Sequence, residues 1–261
     1  MLIAIIGCGN MGSALAQRLS KTHQLFLYDH HIEKTEQLAQ EGCGKSCQSI
    51  KEAVNHAELV ILAVKPQNVT EIGKLIGKEL KKEQILISLL SGIRIENLKE
   101  LFAHTQTIRM MPNLALIYGE GVIGMCSDEN MSPENKDILT KTFELLGKIH
   151  WLPEDKINAL TSLTGSGPAF FLTMVEAMVD AGIAMGFTAS HAQQLTYQMV
   201  QGSLTLLEKT SKHPGELKWQ ITSPQGTTIA GLKTLEEFAV RAGIMNTFLS
   251  AYIRANELSV H

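Results

Sequence analysis

An apolar run at the very start of the chain, Leu2 to Ile6, leads directly into Gly7-Cys8-Gly9-Asn10-Met11-Gly12. The residues after it have the spacing of a helix. A G-x-G-x-x-G set between a strand and a helix permits few folds. Gly7 allows a tight turn, Gly9 lets a pyrophosphate come close to the backbone, and Gly12 lets the helix pack closely on the strand. The phosphates then sit on the free N–H groups of the helix start. A Gly-rich turn without a ligand would use the same residues, but this context is the one a dinucleotide site requires.

The next residues repeat the same theme. Short apolar runs at Leu25–Tyr28, Leu59–Val64 and Ile85–Leu89 read as strands, with weaker ones at Thr107–Met111 and Val122–Met125. Between them, Met11–Ser20, Glu33–Gln40, Ile50–His56, Asn68–Leu80 and Pro133–Leu146 read as helices. Alternation of this kind predicts an α/β fold, a doubly wound Rossmann-type parallel sheet with helices on both faces. The continuously apolar strands suit a parallel sheet buried on both sides.

After Leu152-Pro153 no strand is expected. Phe170–Met185, Ala189–Leu207 and Leu235–Ile253 read as helices. The first is apolar on most sides and so must be buried on most sides. We therefore divide the chain into a nucleotide-binding domain, residues 1–153, and an all-helical dimerisation domain, residues 154–261, whose helices need a second copy to cover them.

Composition narrows the partners. The 261 residues carry 23 Lys and Arg against 26 Asp and Glu, with no basic run of the kind that neutralises a phosphate backbone. Aromatic residues make up 5%, too few for a base-stacking platform, so no nucleic acid is expected. No apolar run reaches the roughly 18–20 residues of a membrane helix, and the N-terminus lacks the features of a signal peptide. No membrane partner and a cytoplasmic location are the expectation. Cys8, Cys43, Cys47 and Cys126 are scattered and read as reduced thiols. Cys43 and Cys47 have a CxxxC spacing, and His30, His31 and His56 are the nearest candidates to complete a zinc site. No metal is expected there.

Asp29 ends the second strand about 20 residues after Gly9, where an acid usually bonds the ribose hydroxyls of NAD. It would repel a 2′-phosphate, which leans the choice between NADPH and NADH toward NADH. His30 and His31 follow and soften that leaning when protonated. Lys65-Pro66 follows a strand whose end should face the cofactor; Lys65 can reach phosphate or nicotinamide, or be an ordinary loop lysine.

The helical half holds a second signal, Ser223-Pro224-Gln225-Gly226-Thr227-Thr228, a polar turn leading into an apolar helix. Ser223 and Thr227 are both plausible caps. The free N–H groups of Thr227 and Thr228 would make a receptor for a small carboxylate. An ordinary capped helix start explains the same residues. Gly165-Ser166-Gly167-Pro168-Ala169-Phe170 is a further helix start, where the glycines suit close approach of a cofactor or of a neighbouring helix.

These segments, together with Ala63-Val64-Lys65-Pro66 and Arg109-Met110-Met111-Pro112-Asn113, resemble the pyrroline-5-carboxylate reductase family in content and order along nearly the whole chain. The Ser-Pro-x-Gly-Thr-Thr segment is the most specific. The resemblance implies hydride transfer from NADPH or NADH to the imine carbon of 1-pyrroline-5-carboxylate (C5 of the product), giving L-proline in the last step of proline biosynthesis. It implies a homodimer formed by the helical domain, often five dimers in a decamer, with an active site to which both chains can contribute. Carried over residue by residue, Ser223, Gly226, Thr227 and Thr228 hold the substrate carboxylate. The Thr228 hydroxyl lies near the ring nitrogen as the catalytic group. Gly7, Cys8, Gly9, Asn10, Met11, Gly12, Ala63, Val64, Lys65 and Pro66 line the cofactor.

Two departures stand out. Gln225 replaces a glycine found in many members, which alters the loop if positive φ is needed there. Tyr28-Asp29-His30 replaces an Asn-Arg or Ser-type pair suited to NADPH. A β-hydroxyacid dehydrogenase also joins a Rossmann domain to helices, but its catalytic lysine has no counterpart after Gly165-Ser166-Gly167. A nucleotide-binding regulator without chemistry would have no need of the Ser223–Thr228 segment.

Overall fold

Alternate residues of the first strand face opposite sides, and two cores grow from them. The computed structural model describes residues 1–128 and 131–259. Ile3 and Ile5 of β1 (Leu2–Ile6) belong to one buried cluster, Ala4 and Ile6 to another. This is the period-2 consequence of a strand buried on both faces.

The first cluster receives Leu15 and Leu19 from α1 (Asn10–Leu19), and Leu38 from α2 (Ile32–Gln40), which follows β2 (Gln24–Tyr28). A two-residue strand, β3 (Lys45–Ser46), comes next. The second cluster receives Ile50 and Val54 from α3 (Ile50–Asn55), and Ile72 and Ile76 from α4 (Val69–Ile76), which follows β4 (Leu59–Leu62). The chain continues through β5 (Ile85–Ser88), α5 (Ile95–Leu101), β6 (Gln106–Met111), β7 (Gly121–Ser127), α6 (Pro133–Phe143) and β8 (Gly147–Trp151).

The eight strands form one sheet in the order β3-β2-β1-β4-β5-β6-β7-β8. The order reverses at β1, where β2 lies on one side and β4 on the other. Ile6 sits level with Tyr28 and Leu62, so Gly7, Asp29 and Ala63 leave the sheet at the same height. A crevice at such a switch point is where open α/β sheets bind ligands.

The doubly wound α/β fold is present, with corrections in detail. The sheet is not wholly parallel: β6 and β7 pair antiparallel. Only a short turn, Leu114–Tyr118, joins them, too little chain for a parallel crossover. The strand expected over Leu59–Val64 stops at Leu62, and the helix expected over Asn68–Leu80 is confined to Val69–Ile76. A Cβ on Gly77 would run into the Leu101 carbonyl, so the glycines there serve close packing against α5.

Contacts divide the chain into two compact units, Met1–Gly165 with Tyr252–His261, and Ser166–Ala251. The expected domain boundary after Pro153 falls earlier, and the last two residues of that domain lie outside the described set. The stretch after Pro153 stays with the sheet because Ile157 is fully buried beside Ile95 and Cys126. Asn158 Nδ2 also donates to Asn256 Oδ1 at 2.9 Å and Ser259 Oγ at 3.0 Å.

The helices of the second half are α7 (Ile157–Leu160), which ends in the first unit, α8 (Gly167–Ala184), α9 (Ala189–Thr210), α10 (Pro214–Gln220), α11 (Thr227–Glu237) and α12 (Val240–Leu258). Thr161–Ser166, between α7 and α8, is π-helical. The helix expected over Leu235–Ile253 is broken, because Ala239 takes a left-handed φ of 50° that ends α11. Neither α11 nor α12 buries a residue within the chain. Glu154–Ala184 is helical throughout, and by length and composition alone it meets the requirement for a membrane span. Counting uninterrupted apolar runs did not reveal this, since its apolarity is spread over a longer helix.

Candidate active site

In the first unit, a cleft of about 570 Å³ opens at the switch point. Gly7, Gly9, Asp29, Ala63, Val64 and Lys65 lie on its walls. Cys8, Asn10, Met11, Gly12 and Pro66 do not line it. Tyr28, His30, Lys34 and Asn68 line the cleft as well. The volume is in the range of small-molecule sites.

The glycines divide the work. Gly7 has φ +98°, and a Cβ there would stand 2.7 Å from the Ala63 carbonyl oxygen. A Cβ on Gly12 would overlap the Gly7 carbonyl. These two are demanded by the protein's own packing. Gly9 is different: a Cβ there meets nothing within 4 Å. Helix α1 begins beside it, with no side-chain cap and no acidic residue in its first turn. Open space in front of uncapped helix N–H groups fits a dinucleotide's pyrophosphate.

Asp29 closes the turn from the other side. Its Oδ2 accepts the Cys8 N–H at 2.7 Å, and its Oδ1 accepts the His31 N–H at 3.0 Å. Burial would raise its carboxyl, but these two N–H groups, with Lys34 and His30 nearby, hold it below the ordinary carboxylate range. Burial, then the Asp29 charge, push the Cys8 thiol up to about 12 against the pull of Lys34, so it is an inert thiol. All four cysteines are free and buried. Among the described residues, no three His, Cys, Asp or Glu side chains cluster as a metal site.

In the second unit, the Ser223–Thr228 loop leads into the start of α11. Neither Ser223 nor Thr227 caps α11. The N-cap is Gly226, with no side-chain cap bond and no acid in the first turn. The N–H groups of Thr227 and Thr228 therefore begin the helix unclaimed by a capping side chain. Gly226 N–H donates to the Ser223 carbonyl at 3.2 Å, folding the turn back on itself. A Cβ on Gly226 would fall on Ser223 Oγ, which places that hydroxyl beside the helix start. Gln225 has φ +59°, so this position of the loop takes the left-handed conformation that favours glycine.

Two residues of the Arg109–Asn113 segment acquire roles that the sequence reading did not assign. Asn113 is buried; its Nδ2 donates to the Thr164 carbonyl at 2.9 Å and its Oδ1 accepts the Val122 N–H at 3.1 Å. It thereby pins the π-helical turn. Arg109, 3% exposed, pairs with Glu154 at 2.9 Å, and the same Glu154 oxygen accepts the Ile95 N–H at 2.8 Å. Lys34 was also missed. A basic residue one turn into the helix after the strand-ending acid was the available signal.

Comparison with known proteins adds the following. Residues 154–258 match the model "Pyrroline-5-carboxylate reductase dimerisation", and residues 2–92 match "NADP oxidoreductase coenzyme F420-dependent". A pyrroline-5-carboxylate reductase of Methanosarcina acetivorans is 34% identical over 98% of this chain and 97% of its own length. One from Arabidopsis thaliana is 39% identical over 80% of this chain and 76% of its own. A crystal structure of Plasmodium falciparum pyrroline carboxylate reductase with NADP bound superposes with a TM-score of 0.91, at 27% identity, covering 99% of this chain and 98% of that one.

Proposed function

The chain belongs to the pyrroline-5-carboxylate reductase family, and we propose which of its residues carry out that reaction. It is an NAD(P)H-dependent reductase that converts 1-pyrroline-5-carboxylate to L-proline, the last step of proline biosynthesis. A nicotinamide cofactor held there would supply a hydride to the imine carbon of the ring, the carbon that becomes C5 of proline.

Gly9 and the start of α1 hold the cofactor's pyrophosphate, with Ala63, Val64 and Lys65 on the opposite wall. Ser223 Oγ and the N–H groups of Thr227 and Thr228 hold the substrate carboxylate. A carboxylate on uncapped helix N–H groups is stabilised by both charge-assisted hydrogen bonds and the helix dipole. That loop geometry is the observation that carries the assignment. The Thr228 hydroxyl, half-buried on the first turn of α11, orients the ring nitrogen. An imine that arrives protonated is already electrophilic, so the protein's main contribution is approach geometry and a dry site.

Asp29 leans the cofactor choice toward NADH when its neighbours are uncharged. The apolar surface of the helical half is the interface with a second copy, from which a pentamer of dimers can be built. Phe171, Leu172, Leu249 and Ile253 are each at least 41% exposed within one chain, which supports that reading. The dimerisation match over 154–258 also favours a subunit interface over a membrane span for Glu154–Ala184. Oxidation of NADH or NADPH that depends on added pyrroline-5-carboxylate tests the assignment.

A further inference from the structure

The turn that precedes α8 is held by a residue from a distant part of the chain. Thr164 lies in the π-helical stretch, and the residue four ahead of it is Pro168, which has no N–H to give the Thr164 carbonyl. Asn113 Nδ2 supplies a donor, at 2.9 Å, while Asn113 Oδ1 holds the Val122 N–H near the start of β7. Strand register sets the place of this joint. Leu62, Ser88 and Arg109 stand level across β4, β5 and β6, and β6 runs two residues further, to Met111. Asn113 follows at the carboxyl edge of the sheet, on the side of β1 away from β2 and Asp29. The Thr161 and Thr164 hydroxyls donate to the Ile157 and Leu160 carbonyls, so both are spent within the helix. Gly165 is exposed beside them, and a Cβ there would meet only Thr161 Cγ2, at an ordinary 3.7 Å. The chain's own packing does not demand that glycine.

We propose that Asn113 is a positioning residue for hydride transfer, which holds the π-helical turn so that Gly165 meets the nicotinamide ring. The cofactor reading of the cleft puts the pyrophosphate at Gly9 and the adenosine ribose toward Asp29. A dinucleotide lying across the switch point then extends its other half over the ends of β4, β5 and β6. That is the edge on which Asn113 fixes the turn. A flat ring packs best against bare backbone, and a glycine with no packing duty of its own offers it. Pinning one carbonyl matters because hydride transfer depends on placement, and a misplacement of about 1 Å costs about a hundredfold in rate. Asn113 acts only through the turn, since its side chain is spent on Thr164 and Val122.

The proposal rests on the cofactor reading of the cleft, and its test separates the two. The full-length protein is titrated by calorimetry with NADH and NADPH, and with ADP-ribose and its 2′-phosphate, the same molecules without the nicotinamide. Single-turnover hydride transfer is followed in stopped flow by the absorbance of pre-bound reduced cofactor. Asn113→Asp keeps the acceptor for the Val122 N–H and loses the donor to Thr164. Gly165→Ala adds one methyl that the chain itself accommodates, so its melting temperature should match wild type. Both variants should bind the reduced dinucleotides about fivefold or more weakly and slow hydride transfer about tenfold or more, while they bind the counterparts without the ring as wild type does. A purely structural joint would lower the melting temperature of Asn113→Asp and leave that affinity ratio and the single-turnover rate unmoved. An unchanged ratio in folded Asn113→Asp overturns the role of Asn113. An unchanged ratio in Gly165→Ala overturns the place given to the turn, and does so even where Asn113→Asp fails to fold. Either result leaves the cofactor site standing. Wild type that binds none of the four molecules overturns the cofactor reading itself.

Discussion

The hydroxyl of Ser223 stands where a side chain on Gly226 would have to go. One residue's lack of a Cβ thus keeps another's donor beside the start of α11. Gly226→Ala should push Ser223 Oγ away from the Thr227 and Thr228 N–H groups. Loss of one charge-assisted hydrogen bond costs about 1.5–3 kcal/mol, so KM for pyrroline-5-carboxylate should rise at least about tenfold. Dinucleotide affinity should stay unchanged. Steady-state kinetics beside direct cofactor titration separate the two.

Thr228 sits one residue further along the same helix. If the Thr228 hydroxyl orients the imine as proposed, Thr228→Ala should lower kcat more than it weakens cofactor binding. Unchanged turnover would remove Thr228 from the mechanism.

Gly9 and Gly12 should respond oppositely. Gly12→Ala forces a methyl into the Gly7 carbonyl and should destabilise the first unit by about 1–3 kcal/mol. Gly9→Ala meets no protein atom, so stability should change by less than about 0.5 kcal/mol, while dinucleotide binding is lost. Thermal melts with and without NADP⁺ distinguish the two effects.

Gln225 holds φ +59° at a cost of about 1–2 kcal/mol for a residue with a Cβ. Gln225→Gly relieves that cost and returns part of it as extra unfolded-state entropy. The net expectation is stabilisation by up to about 1 kcal/mol with KM preserved, read from chemical denaturation and kinetics.

Glu154 carries two bonds on one oxygen, from Arg109 and from the Ile95 N–H. Only Arg109 Nη1 bonds Glu154, and among the described residues its Nε and Nη2 have no hydrogen-bond partner. Glu154→Ala therefore strands a buried guanidinium and should cost about 2–3 kcal/mol, less than for a fully buried pair because Glu154 is partly exposed. Double substitution with Arg109→Met should recover part of that loss.

Much of this was legible in the residues. The glycine turn, the apolar strands and the Ser223–Thr228 segment are local patterns with fixed spacing, and local physics determines what they do. The rest depends on distant partners. A two-residue strand such as Lys45–Ser46 has no period to read, and it exists through its pairing with β2. The antiparallel turn of β7 follows from a connection too short to cross over. The π-turn at Thr161–Ser166 is held by Asn113, far away in sequence. The capping roles given to Ser223 and Thr227 went to Gly226 because the turn folds back through Gln225, a residue whose left-handed backbone no propensity suggests.

The most direct test is the reaction itself. Purified protein should oxidise NADH and NADPH only when pyrroline-5-carboxylate is added, with L-proline formed in equal amount. A folded protein that binds the dinucleotide yet oxidises neither cofactor in the presence of that substrate would contradict the account.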